Sequence, residues 1–88
     1  MSKTIWKFPL AGDGTVMMPI GAKILTVHGQ GNDICVWAEV DPRMDKVERL
    51  LSVYGTGNPL PDHPGNYLGT ALPMGGALVF HVYEKPAP

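Results

Sequence analysis

The side chains best suited to binding lie in a stretch rich in Gly and Pro, Tyr54–Gly69, which reads YGTGNPLPDHPGNYLG. At its start, hydroxyl and amide side chains alternate with two glycines, whose backbone N–H groups no side chain shields. A tyrosine at each end offers a ring for stacking. A loop with these groups can close on a small ligand. The binding residues predicted there are Tyr54, Gly55, Thr56, Gly57, Asn58 and Tyr67.

The first turn of this stretch is similar to a phosphate-binding loop only in its glycines. Such a loop needs a helix directly after it, because the helix N-terminus binds the phosphate. Pro59 and Pro61 follow instead and disfavour a helix. The glycines also have a purely structural interpretation, since they allow the positive φ angles of a tight turn. The stretch is therefore predicted to be a shaped Ω-type loop.

Basic and aromatic residues elsewhere extend the predicted site. An arginine near aromatic rings can bind an anion or stack on a base. The alternative is that both faces of the sheet are buried in a sandwich or dimer, so that the aromatic residues are core. The residues added to the predicted binding site on this basis are Trp37, Arg43 and Arg49.

Catalytic and metal-binding patterns are not recognisable. The three histidines, His28, His63 and His81, match no zinc spacing, and a hydrogen-bonded histidine is the preferred interpretation of those within strands. Cys35 has no neighbouring base and is expected to pack as a small hydrophobic residue. We therefore predict a protein that is not an enzyme and has no metal, cofactor or catalytic residue.

Composition narrows the class of protein. The chain has 88 residues and a net charge of −1, so a single domain is expected and no basic stripe favours duplex nucleic acid. One cysteine excludes an internal disulfide and suits a reducing compartment. Neither a signal peptide nor an apolar run of membrane-spanning length is apparent. The expectation is a soluble cytoplasmic protein without membrane contact.

Alternating apolar and polar residues predict short β-strands separated by Gly and Pro turns. The pair flanking Gly29–Asn32 is the clearest hairpin, because the second strand has a uniformly apolar face. The last segment is apolar on both faces, as expected of a covered central strand. The predicted strands are Lys3–Pro9, Thr15–Met18, Ala22–His28, Asp33–Val40, Tyr67–Leu72 and Ala77–Glu84.

The segment Met44–Tyr54 fits two patterns. Helical spacing aligns apolar residues over Met44–Leu51, whereas strand spacing places Arg49 on an otherwise apolar face. A strand is favoured because its neighbours are β. The fold predicted is mainly β: a small antiparallel barrel or sandwich of about six short strands in one domain, residues 1–88, with at most one short helix, Met44–Leu51. The loop spans 54–69 and a frayed tail 85–88. Because so small a chain hardly covers its sheet edges, a homo-oligomer is expected.

Several segments together resemble a set of small phage and prophage proteins of unknown function. The resemblance runs from Lys3 to Glu84 and rests on TIWKFPL, MPIGAKILTVHGQ, VWAEVDP, YGTGNPLP, YLGT and GALVFHVYE. It implies a phage origin and a shared fold, with the host cytoplasm as location. It carries no established activity.

Small phage proteins are often accessory factors that act by binding. The first expectation is therefore a non-catalytic protein that binds and inhibits or modulates a host protein during host takeover or counter-defence. The second is an oligomeric sponge that sequesters a small nucleotide-like defence signal. The third is a structural or virion-associated protein.

Overall fold

A computed structural model describes residues 2–10 and 14–86, which form seven β-strands in two antiparallel sheets. The only other regular element in this part of the chain is a short 3₁₀ turn, Met74–Gly76. In chain order the strands are β1 (Thr4–Pro9), β2 (Thr15–Pro19), β3 (Lys23–Gln30), β4 (Asp33–Val40), β5 (Lys46–Gly55), β6 (Asn66–Ala71) and β7 (Phe80–Lys85).

The two sheets pack face to face as a small β-sandwich, so the predicted fold class is confirmed. The three-stranded sheet has the order β1-β4-β3, and the four-stranded sheet has the order β2-β5-β7-β6. The predicted hairpin is the β3–β4 pair, in which Gln30 lies opposite Asp33. Alternation along each strand sends one row of side chains inward.

The core lies between the sheets and is built from small and branched side chains. On the three-stranded sheet, Val36, Ala38 and Val40 of β4 are at most 1% exposed. On the four-stranded sheet, Met18 and Val82 are fully buried. The apolar face predicted for β4 therefore packs against the second sheet, and Cys35 is also buried.

The ambiguous segment is a strand, and the helical alternative for Met44–Leu51 is wrong. Strand β5 pairs with β2 on one side and with β7 on the other. Leu51, which is 2% exposed, belongs to the core. A helix here would leave backbone groups of both neighbouring strands unpaired, which outweighs a weak helical pattern.

Several predicted boundaries change. The strand predicted as Ala22–His28 is Lys23–Gln30, so the hairpin loop is shorter than Gly29–Asn32. The loop is shorter than 54–69, because β5 continues to Gly55 and β6 begins at Asn66. The last strand begins at Phe80 rather than Ala77, because the chain first turns at Met74–Gly76. Lys85 belongs to β7 rather than to a frayed tail, and the end of that predicted tail, 87–88, lies outside the described residues.

Candidate functional site

The outer face of the four-stranded sheet carries all three tyrosines of the chain. Because Val82 points into the core, its neighbours His81 and Tyr83 point outward. Cross-strand pairing places Tyr54 opposite His81, and Tyr67 opposite Tyr83. We call this surface the tyrosine face; it consists of Tyr54, Thr56, Tyr67, Thr70, His81 and Tyr83.

A β-bulge in β6 brings two of these residues together. Tyr67 and Thr70 are three residues apart and would point to opposite faces of a regular strand. The pairing register shifts between Tyr67 and Gly69, so Leu68 is the extra residue. The Tyr67 hydroxyl consequently hydrogen-bonds the Thr70 hydroxyl on the outer face. A close approach explains the glycine: a Cβ at Gly69 would lie 3.3 Å from the Cβ of Val27.

The three tyrosine rings form one continuous contact. The centroids of Tyr54 and Tyr83 are 5.8 Å apart at an interplanar angle of 71°. Those of Tyr67 and Tyr83 are 5.3 Å apart at 61°. Edge-to-face pairs of this kind contribute about 0.5–1.5 kcal/mol each beyond burial. Tyr67 remains 56% exposed, so the cluster is held by its neighbours and still presents a ring to solvent.

His81 is held between two hydroxyl groups. Its Nε2 lies 2.8 Å from Thr56 Oγ1, and its Nδ1 lies 3.0 Å from Thr70 Oγ1. A neutral imidazole donates from one nitrogen and accepts at the other, and a threonine hydroxyl does either, so both tautomers satisfy the pair. Through Thr70 the chain of hydrogen bonds reaches Tyr67. His81 is thus a hydrogen-bonded histidine, and it fixes the geometry of the face.

A tight turn joins the tyrosine face to the loop. The Asn58 N–H donates to the Gly55 carbonyl at 3.1 Å, and Gly57 has φ +88°, as required at the third position of a type II turn. The Thr56 N–H donates to the Val79 carbonyl at 3.2 Å. Gly55 permits a close approach, since a Cβ there would lie 2.8 Å from Asn58 Nδ2.

A shallow pocket of about 160 Å³ lies where this turn meets the tyrosine face. It is lined by Gly55–Asn58 together with Tyr54, Leu60, His81 and Tyr83. None of these eight residues is Lys, Arg, Asp or Glu. The pocket therefore offers ring faces, hydroxyl and amide groups and one aliphatic side chain, which suits an uncharged group.

The structure brings together only part of the predicted site. Tyr54, Gly55, Thr56, Gly57 and Asn58 line the pocket, and Tyr67 adjoins it through Tyr83.

Trp37, Arg43 and Arg49 lie elsewhere, so their assignment to this site is corrected. Trp37 is on β4 of the other sheet, with its ring centroid 6.0 Å from that of His28.

Both arginines are bound to carboxylates. Arg43 donates from Nε and Nη2 to Asp41 at 3.0 and 2.9 Å, and these hydrogen bonds lower the pKa of Asp41 to about 2. Arg49 donates from Nε and Nη2 to Glu84, and from Nη1 to the Ala22 carbonyl at 2.9 Å. The hydrogen bonds to Glu84 raise the pKa of Arg49 although the guanidinium is partly buried. The second pair explains how a polar residue fits on the inner face of β5.

Four residues of the site were missed: Leu60, Thr70, His81 and Tyr83. Alternation already placed His81 and Tyr83 on one face of the last strand, but that face was expected to be covered. Thr70 is displaced by the bulge, which has no local signal apart from Gly69. Leu60 lies between two prolines in an irregular segment.

Two wider findings concern the described part of the chain, residues 2–10 and 14–86. No group of three or more His, Cys, Asp or Glu side chains in it is arranged to hold a metal ion. No helix in that part has the length and apolar character to cross a membrane.

Comparison with known proteins identifies a family but no function. No curated protein and no solved structure is significantly similar to the chain. One family model, described as "Domain of unknown function (DUF7352)", matches residues 1–88. Because the match covers the whole sequence, the chain belongs to the DUF7352 family.

Proposed function

We propose that this protein is a non-catalytic phage accessory protein that docks on a host protein through the tyrosine face and thereby inhibits or modulates it. The observation that supports this proposal is the contact of three tyrosine rings on an outer sheet face, with Tyr67 more than half exposed. The phage origin rests on the sequence resemblance. Action by binding alone needs no catalytic group, because covering a working surface of the host protein is enough to inhibit it.

The chemistry of the face favours a protein partner. Tyrosine supplies a large contact area with only two side-chain torsions, so little conformational entropy is lost on binding. Its hydroxyl also tolerates both water and a protein interface. Threonine, glycine and asparagine surround the rings here, a composition that is common in protein-binding loops.

The face is also organised before any partner arrives. Each ring is in edge contact with another, and His81 is fixed by hydroxyl groups on both sides. Ordering an interface side chain costs about 0.5–1.5 kcal/mol, and a side chain already held in place avoids most of that cost.

The size of the sheet face favours a contribution from the loop to the proposed interface. Strands lie about 4.8 Å apart and rise about 3.3 Å per residue, so four strands of six residues cover roughly 400 Å². A standard interface buries about 800 Å² on each partner. The exposed run Thr56–His63, which borders the pocket, is the nearest surface for the remainder.

Sequestration of a nucleotide-like signal is the weaker candidate. The tyrosine rings suit a base, but a phosphate also needs cations or several amide donors. The eight pocket residues include no Lys or Arg, and Arg43 and Arg49 are bound to Asp41 and Glu84.

Affinity capture from a host lysate tests the docking proposal. Tyr67→Lys places a charge on the tyrosine face, whereas Ile5→Lys places the same charge on β1 of the other sheet. The two positions are matched, since Tyr67 is 56% and Ile5 57% exposed, and both lie on edge strands. We expect one dominant partner that is retained by wild type and Ile5→Lys and lost from Tyr67→Lys. Equal capture by all three proteins, or none by wild type, would refute the proposal.

A further inference from the structure

We propose that the pocket between the tyrosine face and the loop receives one tyrosine side chain of the docked partner. This inference rests on the proposed function and names the chemistry of the contact at its centre. Interfaces commonly draw most of their binding energy from a few aromatic or arginine side chains seated in such pockets.

The volume of the pocket matches a single six-membered ring. It measures about 160 Å³. A cavity of about 150 Å³ in another protein binds benzene, which sets the scale for one ring. A methyl group would leave most of this space unfilled, whereas one six-membered ring occupies it.

The walls favour an aromatic ring with a polar end. Tyr54 and Tyr83 already meet edge to face, and they supply ring surfaces for a third ring. Thr56 and Asn58 also line the pocket, with a hydroxyl and an amide. None of the side-chain hydrogen bonds among the described residues involves Asn58, so its amide is available to a phenol hydroxyl.

The uncharged lining selects against the other common anchors. An arginine or lysine side chain would find no carboxylate among the eight lining residues. A phenylalanine ring would fit the space but could not form a hydrogen bond with the amide of Asn58. A tyrosine side chain can pack its ring against Tyr54 and Tyr83 and can also hydrogen-bond the Asn58 amide through its hydroxyl.

Leu60 is the one aliphatic side chain that lines the pocket, and its backbone is restricted by two prolines. It is 49% exposed and lies between Pro59 and Pro61, whose rings fix their own φ angles. Proline also disfavours helical conformations of the residue before it, which restricts Leu60 further. The backbone that carries the Leu60 side chain is therefore restricted before the partner binds.

Titration with single amino-acid derivatives tests the pocket without a known partner. The probes are N-acetyl-tyrosinamide, N-acetyl-leucinamide and uridine, added to the ¹⁵N-labelled protein. We expect N-acetyl-tyrosinamide to produce saturable amide shifts at Thr56, Gly57, Asn58 and His81, with N-acetyl-leucinamide binding at least fivefold more weakly. Absence of shifts at these amides up to the solubility limit of the tyrosine probe would overturn the inference. So would binding of uridine in preference to it.

A matched pair of variants localises the effect. Leu60→Ser removes the aliphatic side chain, and Leu25→Ser makes the same change on the other sheet, where Leu25 is 44% exposed. We expect Leu60→Ser to weaken the binding of N-acetyl-tyrosinamide at least threefold and Leu25→Ser to leave its affinity unchanged. Equal affinities would contradict the assignment of Leu60. If the tyrosine probe fails while Tyr67→Lys still abolishes host-protein capture, the pocket is wrong and the docking face stands.

Discussion

Replacing Gly65 by alanine should destabilise the protein far more than replacing Gly57, although both glycines lie in the same loop. Both have positive φ angles, +100° at Gly65 and +88° at Gly57. An alanine costs about 1–2 kcal/mol at such an angle. At Gly57 the added Cβ meets no atom within 4 Å, so this is the whole cost expected.

At Gly65 the added Cβ would lie 2.2 Å from the Glu84 carbonyl oxygen. Strand β7 must therefore move where Glu84 pairs with Asn66. Disrupting one ladder hydrogen bond and leaving its partner unsatisfied adds about 1–3 kcal/mol. The Gly65→Ala protein should thus be about 2 kcal/mol less stable than Gly57→Ala.

Thermal unfolding followed by circular dichroism measures this difference. For a domain of this size, 1 kcal/mol corresponds to about 4–8 °C in Tm. We expect Gly65→Ala to unfold about 8–16 °C below Gly57→Ala. Equal Tm values would show that the loop does not close tightly against β7, and the rigid loop assumed for the pocket would then be wrong.

Three further predictions follow from the charged groups and the sheet edges. Arg49→Met should lower the free energy of unfolding measured in urea by about 1.5–3 kcal/mol, because it leaves Glu84 unpaired. The double variant Arg49→Met/Glu84→Met should recover part of this loss. If the losses of the two single variants simply add in the double variant, the coupling is contradicted. An NMR titration of Asp41 should give a pKa of about 2, against 3.8 for the free group. Arg43→Gln should raise this pKa only part of the way to 3.8, because the backbone N–H of residue 43 still donates to Asp41. Because the pKa of Asp41 is lower in the folded protein, its contribution to stability is present above pH 4 and is lost as the pH falls through 2. An unshifted pKa would refute the pairing of Asp41 with Arg43. Light scattering should give at least twice the 9.5 kDa chain mass, whereas a monomer would refute the expected homo-oligomer.

The local alternation of apolar and polar residues, together with the turn residues, was sufficient to predict most of the fold. A period of two residues places side chains on alternate faces, so β4 could be identified from its apolar row alone. Gly29–Asn32 between two such rows predicted the hairpin for the same reason. The start of the loop was also predictable, because Gly57 is where a type II turn needs glycine.

Features that depend on distant contacts could not be predicted. Arg49 interrupts the apolar row of β5, and the sequence could not explain it because its partner, Glu84, lies 35 residues away on β7. The bulge at Leu68 adjoins the close approach of Gly69 to Val27 in the other sheet, a contact between residues far apart in sequence. Without that bulge, Thr70 would not reach His81, so the outer face could not be assembled from sequence spacing.

Photo-crosslinking in host cells tests the docking face most directly. A p-benzoylphenylalanine in place of Tyr67 reports any protein within reach of the tyrosine face, and the same residue in place of Ile5 serves as the control on the opposite sheet. We predict one dominant crosslinked species from position 67 and none from position 5. Crosslinks from position 5 alone, or identical patterns from both positions, would contradict the assignment of the tyrosine face as the binding surface.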